Sequence, residues 1–152
     1  MTKTLSVSAI KNGTVIDHIK PGNALRIIHL LGLLKNGRPI TLGLNLASKR
    51  LGRKDLIKIE SVELTTEQAN EVVVFAPEAT INIVKNFEVI NKIKTHLPKN
   101  IEDVFICPNL ICISQEKNVK SNFQIEELGD EIKITCHYCE RTFSRDHVKV
   151  KI

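Results

Sequence analysis

Two cysteine pairs near the end of the chain decide its fold: Cys107-Pro-Asn-Leu-Ile-Cys112 and, after 23 intervening residues, Cys136-His-Tyr-Cys139. Two close pairs allow two turns to present two thiolates each, and the four thiolates together complete a tetrahedron. Zinc prefers soft ligands in this geometry, and a closed four-thiolate site is structural rather than catalytic. The spacing therefore predicts one structural Zn²⁺ per chain, with Cys107, Cys112, Cys136 and Cys139 as its ligands.

Disulfides and free buried thiols are the alternatives to zinc. All four cysteines lie in the last 46 residues, whereas a disulfide scaffold usually spreads its cysteines over the fold. Residues 1–6 contain no hydrophobic stretch of signal-peptide length, so the expected location is the cytoplasm, where thiols stay reduced. His137 and His147 are further candidate ligands, but four thiolates already fill a tetrahedral site.

Short strand patterns surround the cysteines. Residues 119–128, 132–136 and 143–150 are typical of strands, and Gly129-Asp130 is typical of a turn. A unit of this size has too small a core to be stable alone, so a metal is an expected part of its fold. The sequence predicts a small zinc-ribbon-like β domain over residues 99–152, after a polar boundary at residues 94–100 that contains Pro98.

The chain before this boundary begins with strand and helix patterns. Leu5, Val7 and Ala9 alternate with serines, and residues 14–19 continue as strand. Pro21-Gly22-Asn23 then opens a helix with apolar residues at helical spacing. The order so far is therefore strand, then helix.

The same alternation continues up to the boundary. Residues 40–46 and 55–60 are typical of strands, Thr65 begins a helix that ends before Pro77, and residues 80–93 read as a final strand or two. The order β-α-β-β-α-β predicts an α+β, ferredoxin-like domain over residues 1–98, with four or five strands and two helices on one face. The helix residues expected in its core are Leu25, Ile28, Leu31, Val72, Val73 and Phe75.

Positive charge is concentrated in this first part. The whole chain has a net charge of +5; residues 1–100 contribute +7 and residues 101–152 contribute −2. A basic domain is expected to meet nucleotides, nucleic acid or an acidic protein surface, although a solvated basic surface explains the same charge. The composition, 42% hydrophobic and 26% charged, excludes a disordered chain, and the longest apolar stretch, residues 24–34, is too short to span a membrane.

Several polar residues of the basic part suit a phosphorylated ligand. Asp17 beside His18 offers groups for a sugar hydroxyl and a phosphate, and Lys54, Lys58 and Lys92 lie on strands that the predicted fold brings together. An edge-strand pair and ordinary surface lysines account equally for these residues. The sequence contains no P-loop, Rossmann glycine motif or nucleophile elbow, and no catalytic constellation.

A zinc-ribbon nucleic-acid-binding module is the main alternative, because the first part is basic. It predicts strongly salt-dependent binding to RNA or DNA. The chain has only five Phe and one Tyr, and these do not form the aromatic sheet signature of an RNA-recognition motif. A small-molecule enzyme on the same fold lacks its catalytic residues.

Six stretches, taken together and in order, resemble one known family, the regulatory chain of aspartate carbamoyltransferase. They are Ala-Ile-Lys-Asn-Gly-Thr-Val-Ile-Asp-His-Ile (9–19), Thr-Leu-Gly-Leu-Asn-Leu (41–46), Gly-Arg-Lys-Asp-Leu-Ile-Lys-Ile-Glu (52–60), Ala-Pro-Glu-Ala-Thr-Ile-Asn (76–82), Cys-Pro-Asn-x-x-Cys-Ile (107–113) and Cys-x-Tyr-Cys-Glu-x-x-Phe (136–143). The resemblance covers essentially the whole chain.

The resemblance implies a non-catalytic regulatory subunit of pyrimidine biosynthesis. An allosteric nucleotide-binding domain, residues 1–98, would bind CTP and UTP as inhibitors and ATP as activator. A zinc domain, residues 99–152, would contact the catalytic chain and transmit the allosteric signal. Regulatory chains of this family form homodimers, and three dimers bridge two catalytic trimers.

The resemblance also implies an effector site. Ala9, Ile10 and Val15 would lie at the base, Asp17 and Lys58 at the ribose, and His18 and Lys92 at the phosphates. The remaining residues implied at or near the site are Asn82, Phe87, Val89, Leu56 and Lys54. Phe87 stands where a tyrosine is common in the family, so base selectivity depends on whether the hydroxyl or the backbone makes that contact. The implied metal ligands are Cys107, Cys112, Cys136 and Cys139.

Overall fold

The computed structural model describes residues 9–151. The chain divides into two units, residues 1–95 and residues 96–152. The strand predicted around Leu5 and Val7 lies outside the described residues, and Ala9 has no regular secondary structure.

The first unit alternates between strands and helices as predicted. Its elements within residues 9–95 are β1 (Gly13–Ile19), α1 (Ala24–Leu30), a 3₁₀ turn (Leu33–Lys35), β2 (Ile40–Ser48), β3 (Gly52–Glu60), α2 (Thr66–Phe75), β4 (Thr80–Lys85) and β5 (Glu88–Ile93). These strands form one sheet in the order β2-β3-β1-β4-β5, and each neighbouring pair is antiparallel. The predicted α+β, ferredoxin-like arrangement is confirmed, with β5 added at one edge.

The two faces of this sheet differ in burial. Ile16 pairs with Ile57 on one side and with Ile81 on the other, so these side chains share a face, and all three are fully buried. Helix α1 contacts both α2 and β3. The hydrophobic core therefore lies between this face and the helices, and the opposite face is left for other contacts.

Two of the predicted core residues are wrong. Leu25 is 56% exposed, because the buried stripe of α1 runs through Ala24, Ile27 and Ile28 and the next residue along a helix turns about 100° away. Val73 is likewise only half-buried, whereas Val72 and Val74 are buried. Each helix points one residue away from the face that the sequence pattern favoured.

Gly13, the first residue of β1, is required by close backbone packing. It has φ 143°, and a Cβ there would overlap the carbonyl oxygen of Ile59 on β3. We expect Gly13→Ala to destabilise the first unit by more than about 1 kcal/mol and lower its melting temperature by roughly 4 °C or more. Gly129→Ala is the matched control, because Gly129 also has a positive φ but open space around its Cβ position; equal losses in the two variants would contradict the clash.

The second unit is a small β structure. Its elements within residues 96–151 are β6 (Asn100–Glu102), β7 (Phe105–Ile106), a 3₁₀ turn (Ile113–Gln115), β8 (Asn122–Leu128), β9 (Glu131–Cys136), β10 (Thr142–Ser144), a 3₁₀ turn (Arg145–His147) and β11 (Lys149–Val150). The strands pair as β10-β9-β8-β6 and as β11-β7. Phe105 and Phe123 are fully buried, and their rings meet edge to face with centroids 5.8 Å apart.

The strand predictions for this unit need two corrections. Residues 119–121 are not strand, because β8 begins where Asn122 first pairs with Glu102. The strand predicted over residues 143–150 is broken by the turn at Arg145–His147, because β10 pairs with β9 and β11 pairs with β7 in a different sheet. Over residues 9–151 no helix has the length and apolar character needed to cross a membrane.

Candidate functional site

The four cysteine sulfurs of the second unit lie together. The Sγ atoms of Cys107 and Cys139 are 3.7 Å apart, as are those of Cys112 and Cys136, and all four sulfurs lie within 4.8 Å of one another. A tetrahedral ion with metal–sulfur bonds of about 2.3 Å places its sulfurs about 3.8 Å apart. The cluster therefore fits one tetrahedral metal ion without rearrangement.

Local hydrogen bonds hold the cysteine loops in place. The Gln115 side chain donates to the backbone carbonyl of Cys107 at 2.7 Å, and the Ser114 hydroxyl donates to the Cys112 sulfur at 3.1 Å. In the other loop, the Glu140 N–H donates to the Cys136 carbonyl at 2.9 Å. Both loops are thus shaped by their own backbone as well as by any bound metal.

Burial and neighbouring donors set the proton affinity of these thiols. Burial raises the pKa of Cys107 and of Cys136. Burial also acts to raise the pKa of Cys139, but hydrogen bonds, first from the Arg141 backbone, outweigh it and lower this pKa to about 7. Metal binding must therefore displace protons from the cluster.

The two histidines considered as metal ligands lie outside the cysteine group. The His137 ring instead meets Tyr138 edge to face at 5.3 Å. Nδ1 of His147 lies 3.2 Å from the Ser144 hydroxyl. Both side chains therefore already have neighbours elsewhere in the fold.

A cavity of about 360 Å³ lies in the first unit. Its lining includes Val15 and Lys58, which pair with each other across β1 and β3 and so share the sheet face opposite the buried isoleucines. The predicted site residues that line it are Ala9, Ile10, Val15, Asp17, Lys54, Leu56, Lys58 and Phe87. Three further lining residues, Leu46, Ala47 and Val84, were missed from the sequence.

Strand register relates two other predicted residues to this face. Val15 pairs with Lys58 and with Asn82, and Asn82 pairs in turn with Lys92. Directly opposed residues of an antiparallel sheet point to the same side, so these four side chains form one row across the sheet. Asn82 and Lys92 are nevertheless not in the cavity wall, and Lys92 lines a neighbouring cavity of about 430 Å³.

Asn82 and Val89 have their own surroundings beside the cavity. The side-chain oxygen of Asn82 is buried and has no hydrogen-bond partner within the part of the chain that the structure describes. Val89 pairs with Val84, a cavity residue, and is exposed. One residue therefore offers an unused acceptor, and the other an apolar surface at the rim.

An irregularity in β1 brings Asp17 and His18 to the same side of the sheet. Consecutive strand residues normally point to opposite faces, but the pairing of β1 with β3 shifts between Ile16 and Ile19, and His18 has φ 57°. Nδ1 of His18 lies 3.0 Å from the Thr80 hydroxyl, and Thr80 is the residue paired with Asp17. The bulge therefore makes both side chains available to one ligand.

Charged groups of opposite sign meet at the cavity. The Lys54 ammonium lies 2.9 Å and 3.1 Å from the two carboxylate oxygens of Asp17. Lys58 is buried; burial lowers the pKa of its ammonium, and the negative charge of Asp17 acts in the opposite direction. Two ammonium groups beside one carboxylate suit a ligand that carries both phosphate and sugar hydroxyl groups.

Comparison with known families assigns both units. Residues 5–96 match the family model described as the aspartate carbamoyltransferase regulatory chain, allosteric domain, and residues 99–149 match that of its metal binding domain. The chain belongs to the aspartate carbamoyltransferase regulatory chain family. The suspected resemblance is thereby confirmed.

Curated aspartate carbamoyltransferase regulatory chains match over nearly their full length. The chain is 51% identical to that of Chromobacterium violaceum over 148 residues, which cover 97% of both proteins. It is 47% identical to that of Tolumonas auensis, over 96% of this chain and 95% of the relative, and 47% identical to that of Proteus mirabilis, over 95% of both. Membership in this family confirms a regulatory, non-catalytic subunit and does not favour the nucleic-acid-binding alternative.

Proposed function

We propose that this regulatory chain binds nucleoside triphosphates in the 360 Å³ cavity of its first unit, with CTP and UTP as inhibitors and ATP as activator of pyrimidine biosynthesis. The observation that carries the proposal is the meeting of Asp17, Lys54 and Lys58 at this cavity, inside the region matched to the allosteric domain. The effector domain would cover residues 1–98.

The surroundings of each group suggest its role. We assign the base to the apolar part of the wall near Ala9, Ile10 and Phe87, where stacking and backbone groups are available. The carboxylate of Asp17 suits the ribose hydroxyls, together with Lys58. The phosphates then extend toward His18 and Lys92. Residues assigned to the edges of the site are Val15, Lys54, Leu56, Asn82 and Val89.

We propose zinc as the metal of the second unit, residues 99–152. Four thiolates with sulfur–sulfur edges of 3.7 Å match the ligand type and size of tetrahedral Zn²⁺. The ion would have no open position and would fasten the two cysteine loops, so its contribution is structural. Reduced thiols are consistent with action in the cytoplasm.

The second unit also offers a surface for the catalytic chain. Leu110 and Ile111, in the loop between two cysteine ligands, are 86% and 87% exposed, and Ile113 is exposed beside them. Exposed clustered aliphatic residues on a loop of fixed shape are typical of a protein interface. We propose that this loop contacts the catalytic chain, in an assembly where three regulatory homodimers bridge two catalytic trimers.

Allosteric control then follows from differential affinity. A nucleotide shifts a two-state assembly only if it binds one state more tightly than the other. CTP and UTP would favour the state of the holoenzyme with low substrate affinity, and ATP the state with high affinity. The zinc domain would pass this preference to the catalytic chain.

Calorimetric titration of the zinc-loaded chain and of the holoenzyme tests the effector assignment. We expect saturable binding of CTP and of ATP in competition with each other, weakened in Lys92→Ala, a residue of the row that contains Lys58. A short single-stranded RNA serves as the comparison ligand. Salt-sensitive RNA binding without nucleotide binding in either preparation would overturn the proposal and favour the nucleic-acid module.

A further inference from the structure

The β2 edge of the first sheet has the properties of a strand that is covered by a partner. Its nine residues, Ile40–Ser48, read ITLGLNLAS and include no charged side chain. It forms one end of the strand order, and within residues 9–151 no strand pairs with its outer side. A row of N–H and C=O groups is thereby left available along an apolar strand.

The other edge of the same sheet is protected differently. β5 (Glu88–Ile93) carries Glu88 and Lys92, and charged residues on an edge strand discourage pairing with another chain. β2 instead exposes Leu44, at 50%, and part of Leu42. The bulge in β2 falls between Gly43 and Leu46, so the stretch before it keeps regular strand geometry.

We propose that β2 pairs antiparallel with β2 of a second copy of this chain, so that two five-stranded sheets join across a two-fold axis. The occupant is a second copy because antiparallel pairing of one strand with itself satisfies the same backbone groups on both sides. An uncharged strand meets its own copy without like-charge repulsion. Leu25 and Leu34, which follow the buried stripe of α1 and are exposed, provide further apolar surface on this unit.

This pairing names the contact surface of the regulatory homodimer and rests on the proposed function for its biological purpose. Leu46 and Ala47 of β2 also line the nucleotide cavity, so the same strand forms the wall of the site and the seam between copies. Asp55 ties β2 to the rest of the unit, because its buried carboxylate accepts from the N–H of Asn45 at 3.1 Å and from that of Gly22 at 3.0 Å. Occupancy of one site is therefore transmitted to the second copy through β2.

The test compares one charge at each edge of the sheet. Leu44→Lys and Ile90→Lys introduce the same side chain at edge-strand positions of similar exposure, 50% and 53%. Sedimentation velocity of the full zinc-loaded chain should show wild type and Ile90→Lys at twice the 17.1 kDa chain mass. Leu44→Lys should raise the dimer dissociation constant by about 30-fold or more. A wild-type monomer, or dimer loss in Ile90→Lys alone, overturns the proposal.

Hydrogen exchange of the wild-type chain gives a second measurement that does not depend on a variant folding. Amides of β2 should become more protected as concentration rises through the dimer range, while those of β5 stay unchanged; the reverse pattern overturns the pairing. Nucleotide titration of the same samples separates the two proposals. A β2-paired dimer that binds no nucleotide refutes the effector assignment, and a nucleotide-binding monomer refutes the pairing.

Discussion

Replacing Cys112 with serine abolishes tight metal binding and leaves residues 96–152 without a stable fold. Cys112 is buried, and its sulfur lies 3.7 Å from that of Cys136, so a hydroxyl there removes one of four thiolate ligands and opens the site. Structural zinc contributes about 10–16 kcal/mol to the folding of small domains. A unit of fewer than about 60 residues has no core large enough to compensate for that loss.

The measurements are zinc content, hydrogen exchange of each unit and assembly with the catalytic chain. We expect the first unit of Cys112→Ser to keep its protection and its nucleotide binding, because its core is separate, whereas assembly is lost. Ser114→Ala is the matched control: it keeps all four thiolates and removes only the hydroxyl that donates to Cys112, which should weaken metal affinity by about 10- to 100-fold. Full assembly of Cys112→Ser would show that the metal has no structural role.

Replacing Lys58 with glutamine weakens CTP and ATP binding by roughly 10- to 100-fold, the range expected for a lost charge-assisted hydrogen bond in a buried site. Lys58 is 9% exposed and lines the cavity beside Asp17. Glutamine keeps most of the volume and removes the positive charge. Titration calorimetry of the zinc-loaded chain measures the loss, and Lys85→Gln is the control, because Lys85 faces Glu63 on the surface instead.

The pH dependence of binding distinguishes a contact with the nucleotide from a merely structural role of Lys58. Burial lowers the pKa of the Lys58 ammonium, with Asp17 opposing, and a polyphosphate favours the charged form. Nucleotide binding should therefore take up a proton at alkaline pH, and affinity should fall as pH rises through the lowered pKa. Lys58→Gln should lose this proton uptake; equal uptake in both chains, or equal affinity losses in Lys58→Gln and Lys85→Gln, would contradict the assignment.

Local patterns were enough to predict the order of strands and helices. Strand alternation and the capping signal at Thr65 depend on neighbouring residues, and in the structure Thr65 accepts from the Gln68 N–H at 3.1 Å. The same patterns failed on which helix residues are buried. Leu25 and Val73 are apolar and close to the buried stripe, and only packing against the sheet decides which side of a helix faces inward.

The sequence by itself determined the order of the elements, the change from a basic first part to a cysteine-bearing second part, and the four thiols suited to one metal. These features depend on composition and on short spacings along the chain. Only the tertiary structure decided which residues share the cavity. The row of Lys58, Val15, Asn82 and Lys92 depends on strand register, and a slip of one residue would turn every side chain of a strand to the other face. The bulge that brings His18 beside Asp17 likewise exists only because β1 is paired with β3, a contact between residues far apart in the sequence.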